Sequence, residues 1–320
     1  MRHADAATVH RLLDYKGLVE ALRQAHATGS MPQTSVDIMS DRAGEAGDGS
    51  DAGDKFVSLV AWASGDIIAT KLVGVFPGNL TLTPPEPSIQ GLVAAFSGHT
   101  GAPLLTADGA AMTFRKTAAD SALGVDLLAR KDARTLLVVG AGGLAPHVVE
   151  AHLAVRPSLE RVLIWNRSAG RAETLAASLA HMSARISVVT SLSDAVPEAD
   201  IVSCVTMATS PLVEGRLLKQ GAHVDLIGGY LPNMREADDD VVRRAGRVFV
   251  DTRGACEGCG DIGQPLASGL ITRADIVADL FDLCSGRHPG RSSEHDITMF
   301  KNIGGGHLDL FTIRHLLTRV

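Results

Sequence analysis

The sequence has little of three features that would each indicate a particular class of protein. Four cysteines in 320 residues are too few for the disulfide framework of a small secreted protein. No apolar segment reaches the roughly 18 uninterrupted residues of a membrane-spanning helix. Residues 1–22 carry scattered charges instead of the apolar stretch of a signal peptide. We therefore expect a soluble, cytoplasmic protein.

Positive charge is also scarce. The 30 Lys and Arg residues are outnumbered by 36 Asp and Glu, which gives a net charge of −6 and a pI of about 6.0. A chain of this charge has no electrostatic reason to bind nucleic acid or an anionic membrane, and we expect neither as a partner. Its length and its 45% content of hydrophobic residues favour two domains with sizeable cores.

Two segments suggest a metal site without supplying a full ligand pattern. Residues 40–54, SDRAGEAGDGSDAGD, have acidic spacing, but the EF-hand calcium pattern is absent, and a mobile surface loop is favoured. The stretch CEGC, Cys256 to Cys259, has metal or redox spacing, but no second pair or histidine cluster accompanies it. We predict no metal site.

The spacing of apolar runs predicts an α/β fold in two domains. FVSLVAWA, IIATKLVGVF, QGLVAAFS and PLLTADG are predicted strands, whereas from about residue 134 short β-branched runs alternate with helical stretches. This alternation predicts a doubly wound parallel sheet of the Rossmann type, over residues 117–299. The tail, HLDLFTIRHLL, is an amphipathic helix that needs a partner, so residues 1–116 and 300–320 are predicted to form one discontinuous α+β domain.

The stretch TLLVVGAGGLAPHVVEAH carries a dinucleotide-binding pattern. Its G-x-G-x-x-A motif, Gly140, Gly142 and Ala145, follows an apolar strand and opens a helix. The first glycine allows the tight turn, the second lets a pyrophosphate approach the backbone, and the small third residue lets the helix pack on the strand. We therefore predict that this domain binds NAD or NADP.

The end of the next strand bears on the choice between these two cofactors. NAD enzymes usually place a carboxylate there, which bonds the ribose 2′-hydroxyl and repels a 2′-phosphate. Here the strand RVLIW is followed by Asn166, Arg167 and Ser168. Arg167 can pair with a phosphate, so NADPH is the predicted cofactor. Acceptance of both cofactors, with Arg167 as a plain surface charge, is the alternative.

Three cations are candidates for binding an anionic substrate. Arg115 and Lys116 precede the small residues TAADSALG, which are typical of a tightly packed helix start. Lys71 lies in the predicted strand IIATKLVGVF, where a lysine either extends to solvent or points into a pocket. The pattern alone does not decide between these two orientations.

Five stretches carry a resemblance to a known family: KLVGVFPGN, TGAPLLTADGAAMTFRKTAADSALGVDLLAR, VVGAGGLAPHVVEAH, HVDLIGGYLPNMREAD and GDIGQPLASGLI. From about residue 55 to the C-terminus the chain resembles the ornithine cyclodeaminase/mu-crystallin family. The resemblance implies a homodimer of two-domain subunits that binds NAD(P) and acts on amino acids or their imines. The discontinuous domain then becomes the substrate-binding and dimerisation domain.

The resemblance also implies roles for particular residues. Lys71 matches the family lysine that binds the substrate carboxylate, and Lys116 stands where the family has an arginine. Arg115 then supports the structure or the dimer, and Gln33 replaces a further carboxylate-binding arginine. The remaining implied cofactor contacts are Ser88, Gly143, Leu144, Thr206, Met207, Ile227, Gly228, Gly229 and Asn302.

One departure from the family separates its activities. Cyclodeaminases use an aspartate as acid and base at the position of Tyr230, a predicted substrate contact here, and a lysine at the position of Met234. A phenol with a pKa near about 10 replaces that carboxylate poorly, whereas reduction of an imine needs no such base. We predict an NAD(P)H-dependent reductase of cyclic imine carboxylates, with Lys71 and Lys116 as catalytic residues. The alternatives are a lyase of the cyclodeaminase type, a non-catalytic mu-crystallin-like protein that binds NADPH and a ligand, and a biosynthetic imine or amino-acid dehydrogenase that acts on a different intermediate.

Overall fold

A computed structural model describes residues 1–40 and 53–320, which divide into two compact units. The first unit consists of Met1–Ala21, Ser30–Lys116 and Gly305–Val320, and the second of Leu22–Gly29 and Thr117–Gly304. The observed boundaries therefore differ from the predicted ones at residues 22–29 and 300–304. Most of the predicted acidic loop, residues 41–52, lies outside the described residues.

The first unit contains a six-stranded sheet in the order β1-β6-β5-β4-β3-β2. The strands are Arg2–Ala4 (β1), Gln33–Ser40 (β2), Lys55–Ala63 (β3), Ile67–Val75 (β4), Ile89–Ser97 (β5) and Pro103–Asp108 (β6). Neighbouring strands are antiparallel except for β1 and β6, which are parallel. The helix Ala6–Leu12 (α1) follows β1, and the predicted C-terminal helix, Gly306–Leu317 (α10), packs against β2 to β5.

The strands expected from apolar runs are confirmed as β3 to β6. Strand β2 was not predicted, and every one of its side chains is exposed, so no buried face produced a period in its sequence. Asp14 begins the helix Tyr15–Thr28 (α2), because its Oδ1 accepts a hydrogen bond of 2.8 Å from the Gly17 amide.

The second unit contains an eight-stranded sheet in the order β13-β12-β14-β11-β10-β7-β8-β9, and all its strand pairs are parallel. The strands are Thr135–Val139 (β7), Arg161–Trp165 (β8), Arg185–Val188 (β9), Ile201–Cys204 (β10), His223–Leu226 (β11), Val248–Val250 (β12), Ile276–Asp279 (β13) and Thr298–Lys301 (β14). The predicted boundary at residue 300 cuts β14, whose sequence gave no separate apolar run.

Helices accompany this sheet along the chain. They are Gly109–Leu128 (α3), Ala145–Val155 (α4), Ala169–Ser178 (α5), Leu192–Ala195 (α6), Asp239–Ala245 (α7), Gly260–Ala267 (α8) and Leu280–Cys284 (α9). Alternate residues of β7 belong to two separate buried clusters. Leu137 and Val139 pack in one cluster, and Leu136 and Val138 pack in the other. Both faces of the sheet are therefore covered, which confirms the predicted doubly wound Rossmann-type fold. Among the described residues, no helix has both the length and the apolar character needed to cross a bilayer.

Candidate functional site

The turn between β7 and α4 has the backbone geometry of a dinucleotide-binding loop. Gly140 adopts a φ of 118°, and a Cβ there would lie 2.7 Å from the Val205 carbonyl oxygen, so only glycine fits. A Cβ on Gly142 would meet no atom within 4 Å. The space above Gly142 is therefore open, as the approach of a pyrophosphate to the backbone requires.

Helix α4 begins at this turn, but its first two residues offer no free amide, because the Ala145 amide donates to the Gly142 carbonyl at 3.0 Å and Pro146 has no N–H. Gly142 and Gly143 are exposed, Leu144 occupies the N-cap position without a side-chain capping bond, and Ala145 is fully buried against the sheet. The start of a helix carries a partial positive charge, and here the exposed backbone of Gly142 and Gly143 lies at that end. These residues fit the diphosphate of a dinucleotide.

The end of β8 is tied to the same turn through Asn166. Its Oδ1 accepts a hydrogen bond of 3.2 Å from the Ala141 amide, and its Nδ2 donates one of 2.9 Å to the Ser168 carbonyl. Arg167 and Ser168 are exposed, and the Ser168 side chain makes no capping bond to α5. Asn166 therefore shapes the loop, while Arg167 and Ser168 face solvent.

A buried carboxylate that the sequence did not reveal organises the ends of β10 and β11. Glu236 accepts hydrogen bonds from the Thr206 amide at 2.6 Å, the Thr206 hydroxyl at 2.8 Å, and the amides of Gly228 and Gly229 at 2.7 and 3.3 Å. A Cβ on Gly228 would lie 1.7 Å from the Thr206 carbonyl oxygen. The close approach of these two strand ends requires glycine. Beside them, Ile227 is buried and Met207 is 68% exposed.

Glu236 belongs to a buried ionic network. The Lys301 ammonium donates to Asp261 Oδ2 at 3.0 Å, and Asp261 Oδ1 accepts from the Glu236 amide at 2.8 Å. Burial raises the pKa of Glu236 above its ordinary value, against the attraction of Lys301. Burial opposes the charged form of Lys301, but Asp261 and Glu236 outweigh it and raise the pKa of Lys301. The network holds the Gly228–Gly229 turn in place.

Asn302, a predicted cofactor contact, is 2% exposed and makes hydrogen bonds inside the second unit. Its Nδ2 donates to the Thr117 carbonyl at 3.0 Å and to the Ser121 hydroxyl at 3.1 Å. These bonds join the end of β14 to α3.

The first unit brings together both predicted substrate lysines and a carboxylate that was not predicted. Lys71 on β4 and Lys116 on α3 lie with their Nζ atoms 3.8 and 3.6 Å from Oδ1 of Asp309 on α10. All three residues are buried, with exposed fractions of 8, 5 and 2%. Lys71 therefore points inward, which settles the question that its strand pattern left open. The sequence did contain a sign of this residue, because Asp309 is an acidic residue on the otherwise apolar face of the C-terminal helix.

The buried environment changes the ionisation of Lys71. Burial lowers the pKa of Lys71, because the charged form loses its hydration, and the like charge of Lys116 lowers it further. Asp309 acts in the opposite direction and favours the charged ammonium. This cluster can bind a small carboxylate by charge-assisted hydrogen bonds.

The sequence context of Arg115 and Lys116 predicted that they lie at the start of a helix. In the structure they lie well inside α3 instead. The helix begins at Gly109, directly after β6, and Asp108 Oδ1 accepts from the Ala111 amide at 2.8 Å. Arg115 lies over the Tyr15 ring at 4.3 Å and donates to His10 Nδ1 at 3.0 Å. Arg115 therefore contacts both α1 and α2.

The remaining predicted residues are spread over the two units. Tyr230 is 50% exposed, whereas Met234 is buried. Ser88 lies in the first unit and is half-buried, and its carbonyl accepts a hydrogen bond of 2.7 Å from the Phe76 amide. Gln33 is exposed on β2.

Both cysteines of the CEGC stretch, Cys256 and Cys259, are buried. Cys256 donates to the Arg253 carbonyl and Cys259 to the Cys256 carbonyl, and burial raises the pKa of both thiols, that of Cys259 to about 11. Buried, protonated thiols are unreactive, as expected of a structural pair. Within residues 1–40 and 53–320, no group of three or more His, Cys, Asp or Glu is placed to hold a metal ion.

Known structures share this architecture. The fold matches that of the Thermococcus litoralis Δ1-pyrroline-2-carboxylate reductase in complex with NADH and L-proline, with a TM-score of 0.88 at 24% identity over 100% of this chain and 97% of that one. It also matches the iminosuccinate reductase of Paracoccus denitrificans in complex with NAD+, with a TM-score of 0.83 at 26% identity over 99% and 95% of the two chains.

Sequence comparison gives a relative of higher identity. The chain is 40% identical to the Δ1-pyrroline-2-carboxylate reductase of Paracoccus denitrificans over 306 residues, which cover 95% of this chain and 92% of that protein. The sequence model of the ornithine cyclodeaminase/mu-crystallin family matches residues 19–317. With a fold and a sequence that agree over nearly their whole length, the chain belongs to the ornithine cyclodeaminase/mu-crystallin family.

Proposed function

We propose that the protein is an NAD(P)H-dependent reductase of cyclic imine carboxylates, which converts Δ1-pyrroline-2-carboxylate or Δ1-piperideine-2-carboxylate to proline or pipecolate. The observation that carries the proposal is the pair of buried lysines, Lys71 and Lys116, whose Nζ atoms lie 3.8 and 3.6 Å from Asp309 Oδ1. Two ammonium groups and one carboxylate leave one net positive charge, which matches one substrate carboxylate. The 40% identical reductase supports the same reaction.

The second unit fits the cofactor. The turn of Gly140, Gly142 and Gly143, at the positive end of α4, would hold the diphosphate, and the glycines held by Glu236 would accommodate the nicotinamide. The reduced nicotinamide supplies a hydride when it is bound.

The chain's own residues bind and orient the imine. Lys71 and Lys116 hold the substrate carboxylate through charge-assisted hydrogen bonds, which fixes the ring and its C=N carbon in one orientation. Hydride addition to that carbon moves the electrons of the C=N bond onto nitrogen, which becomes an amine. The protonated imine loses its positive charge in this step, so the site needs no additional carboxylate to stabilise it.

A lyase of the cyclodeaminase type is the weaker candidate. That activity depends on a carboxylate at position 230, where this chain has Tyr230, half of which is exposed to solvent. Incubation with ornithine and NAD tests the point: stoichiometric release of ammonia without net use of NADPH would replace the reductase by the lyase.

The direct test of the reductase is the loss of NADPH absorbance in parallel reactions with three substrates and in one without substrate. We expect turnover with Δ1-pyrroline-2-carboxylate or Δ1-piperideine-2-carboxylate, and none with pyruvate plus ammonia or without substrate. Turnover with pyruvate plus ammonia alone would indicate an alanine dehydrogenase. Tight NADPH binding without any turnover would indicate a binding protein of the mu-crystallin type.

NADPH is the preferred cofactor in this proposal, with NADH as a slower alternative. The support is Arg167, which is exposed at the end of β8 and makes no ion pair with any residue in the described part of the chain, and Ser168, whose hydroxyl makes no capping bond. Both can bind a 2′-phosphate. We expect Arg167→Ala to raise the KM for NADPH about tenfold or more and to leave that for NADH unchanged, by the loss of one charge-assisted contact.

Arg185→Ala is the matched control for this test. Arg185 is also exposed, but it begins β9, and cofactors bind beyond the carboxyl ends of parallel strands. If Arg167→Ala and Arg185→Ala change the two KM values alike, Arg167 does not bind the phosphate.

We also propose that the protein works as a homodimer in the cytoplasm. Strand β2 carries several large apolar side chains with more than half of their surface exposed, namely Val36, Ile38 and Met39. Exposed apolar strands of this kind are typical of association surfaces. Light scattering should give twice the chain mass of 33.5 kDa, and Ile38→Asp should reduce it to the mass of one chain.

A further inference from the structure

The carboxylate of Asp309 is not explained by substrate binding. Its Oδ1 lies 3.6 Å from the Lys116 ammonium and 3.8 Å from the Lys71 ammonium, and the residue is 2% exposed. A site built to attract a substrate carboxylate thus contains a carboxylate of its own, supplied by a third element, α10. Its presence therefore needs a physical reason.

Repulsion between the lysines supplies that reason. Burial disfavours the charged form of Lys71, and the like charge of the Lys116 ammonium adds to this effect. A carboxylate next to both opposes the repulsion. Neither oxygen of Asp309 has a hydrogen-bond partner within 3.5 Å among the described residues. The ammonium N–H groups are therefore not used up by Asp309, and they remain available to a substrate.

We propose that Asp309 is a positioning residue of the substrate site, which keeps the Lys71 ammonium charged beside that of Lys116 so that together they bind one carboxylate. The inference rests on the proposed function, because it assumes that these lysines bind the substrate. It assigns Asp309 no contact with the substrate itself.

The electrostatic surroundings of Lys71 are simple. Asp309 and Lys116 are the two charged groups that act on it, and they act in opposite directions. The other charged or titratable side chains on α10 and on the strands β2, β3 and β5 packed against it are Asp37, Lys55, His307, Arg314 and His315. Arg314 pairs with Asp66 at 2.9 Å. Removal of the charge of Asp309 or of Lys116 should thus change the pKa of Lys71 directly.

The first test compares the pH dependence of kcat/KM for wild type and Asp309→Asn, which keeps the shape of the side chain and removes its charge. Lys71 should then lose its proton at a lower pH, and the alkaline fall of kcat/KM should shift down by about one to three pH units, the usual effect of one close opposite charge. The substrate's own ionisation contributes equally to both profiles, so the difference reports on the enzyme.

Thr312→Val is the matched control. Thr312 is fully buried on the same helix, and its hydroxyl has no hydrogen-bond partner among the described residues. The variant changes the core of α10 without a change of charge, and its alkaline limb should coincide with that of wild type. An equal shift in both variants, or no shift in Asp309→Asn, would overturn the inference.

Lys116→Met provides an independent second variant if Asp309→Asn does not fold. The Lys116 charge lowers the pKa of Lys71, so its removal should move the alkaline limb to higher pH, opposite in sign to Asp309→Asn. A merely structural role does not predict shifts of opposite sign. An alkaline limb of Lys116→Met that stays in place or moves to lower pH would refute the electrostatic coupling.

Calorimetric binding of pyrrole-2-carboxylate separates this inference from the proposed function, because it needs no turnover. Between neutral and alkaline pH, the affinity of Asp309→Asn should fall more steeply than that of wild type. If this difference is found but wild type reduces neither cyclic imine, the proposed reaction is wrong and the role of Asp309 stands. If wild type reduces them and the two binding profiles coincide, only the role of Asp309 is wrong.

Discussion

Gly142→Ala should separate cofactor binding from folding. A Cβ at this position meets no atom within 4 Å, and the backbone does not adopt a positive φ, so alanine fits the folded chain. The same methyl group would occupy the space through which a pyrophosphate approaches the turn. Crowding by one extra carbon in a packed contact costs about 1–3 kcal/mol. We therefore expect the dissociation constant for NADPH to rise by about five- to 150-fold.

The assay is calorimetric titration with NADPH and with ADP-ribose, together with thermal unfolding of the protein without ligand. ADP-ribose carries the pyrophosphate without the nicotinamide, so Gly142→Ala should weaken both ligands by the same factor. Gly258→Ala is the control, since a Cβ there also meets no atom within 4 Å and the residue is exposed at the end of the 3₁₀ helix Cys256–Gly258, outside the motif. Gly258→Ala should bind both ligands as wild type does.

Gly140→Ala provides the contrasting case. Its φ of 118° and a Cβ 2.7 Å from the Val205 carbonyl predict a loss of stability as well as of binding. The reasoning would be refuted if Gly142→Ala bound ADP-ribose with wild-type affinity. It would also be refuted if Gly142→Ala lowered the unfolding temperature as much as Gly140→Ala does.

Three further expectations concern stability. Gly228→Ala would place a Cβ 1.7 Å from the Thr206 carbonyl oxygen, and urea unfolding should show a loss of about 1–3 kcal/mol. Lys301→Met leaves Asp261 buried without its ion pair, which should lower the unfolding free energy by about 3–5 kcal/mol, and adding Asp261→Asn should restore part of it. Burial lowers the pKa of His26 from 6.5 to about 4, so the unfolded chain takes up the proton first and stability falls as the pH falls through this window. His26→Gln should therefore lose about 2 kcal/mol less than wild type between about pH 7 and 5, and equal losses would contradict the assignment.

Local sequence patterns were sufficient for most of the fold. The alternation of β-branched runs with helical stretches predicts a parallel sheet because both faces of each strand must be apolar, as β7 shows by contributing to two separate clusters. The glycine motif was equally readable, because the conformation of Gly140 is a property of the turn itself. Strand β2 could not be found in this way, since all its side chains are exposed.

The sequence by itself determined the elements, the cofactor turn and the candidate lysines, since each of these follows from a short stretch of residues or from a family motif. Only the tertiary structure decided which charged side chains lie next to one another. Asp309 reaches Lys71 and Lys116 only because α10 packs against β4, and Glu236 joins Thr206 to Gly228 only because β10 and β11 are neighbours. The physical reason is that a buried charge is stabilised by partners close in space. Chain folding brings these partners together from distant positions, and no local pattern records the pairing.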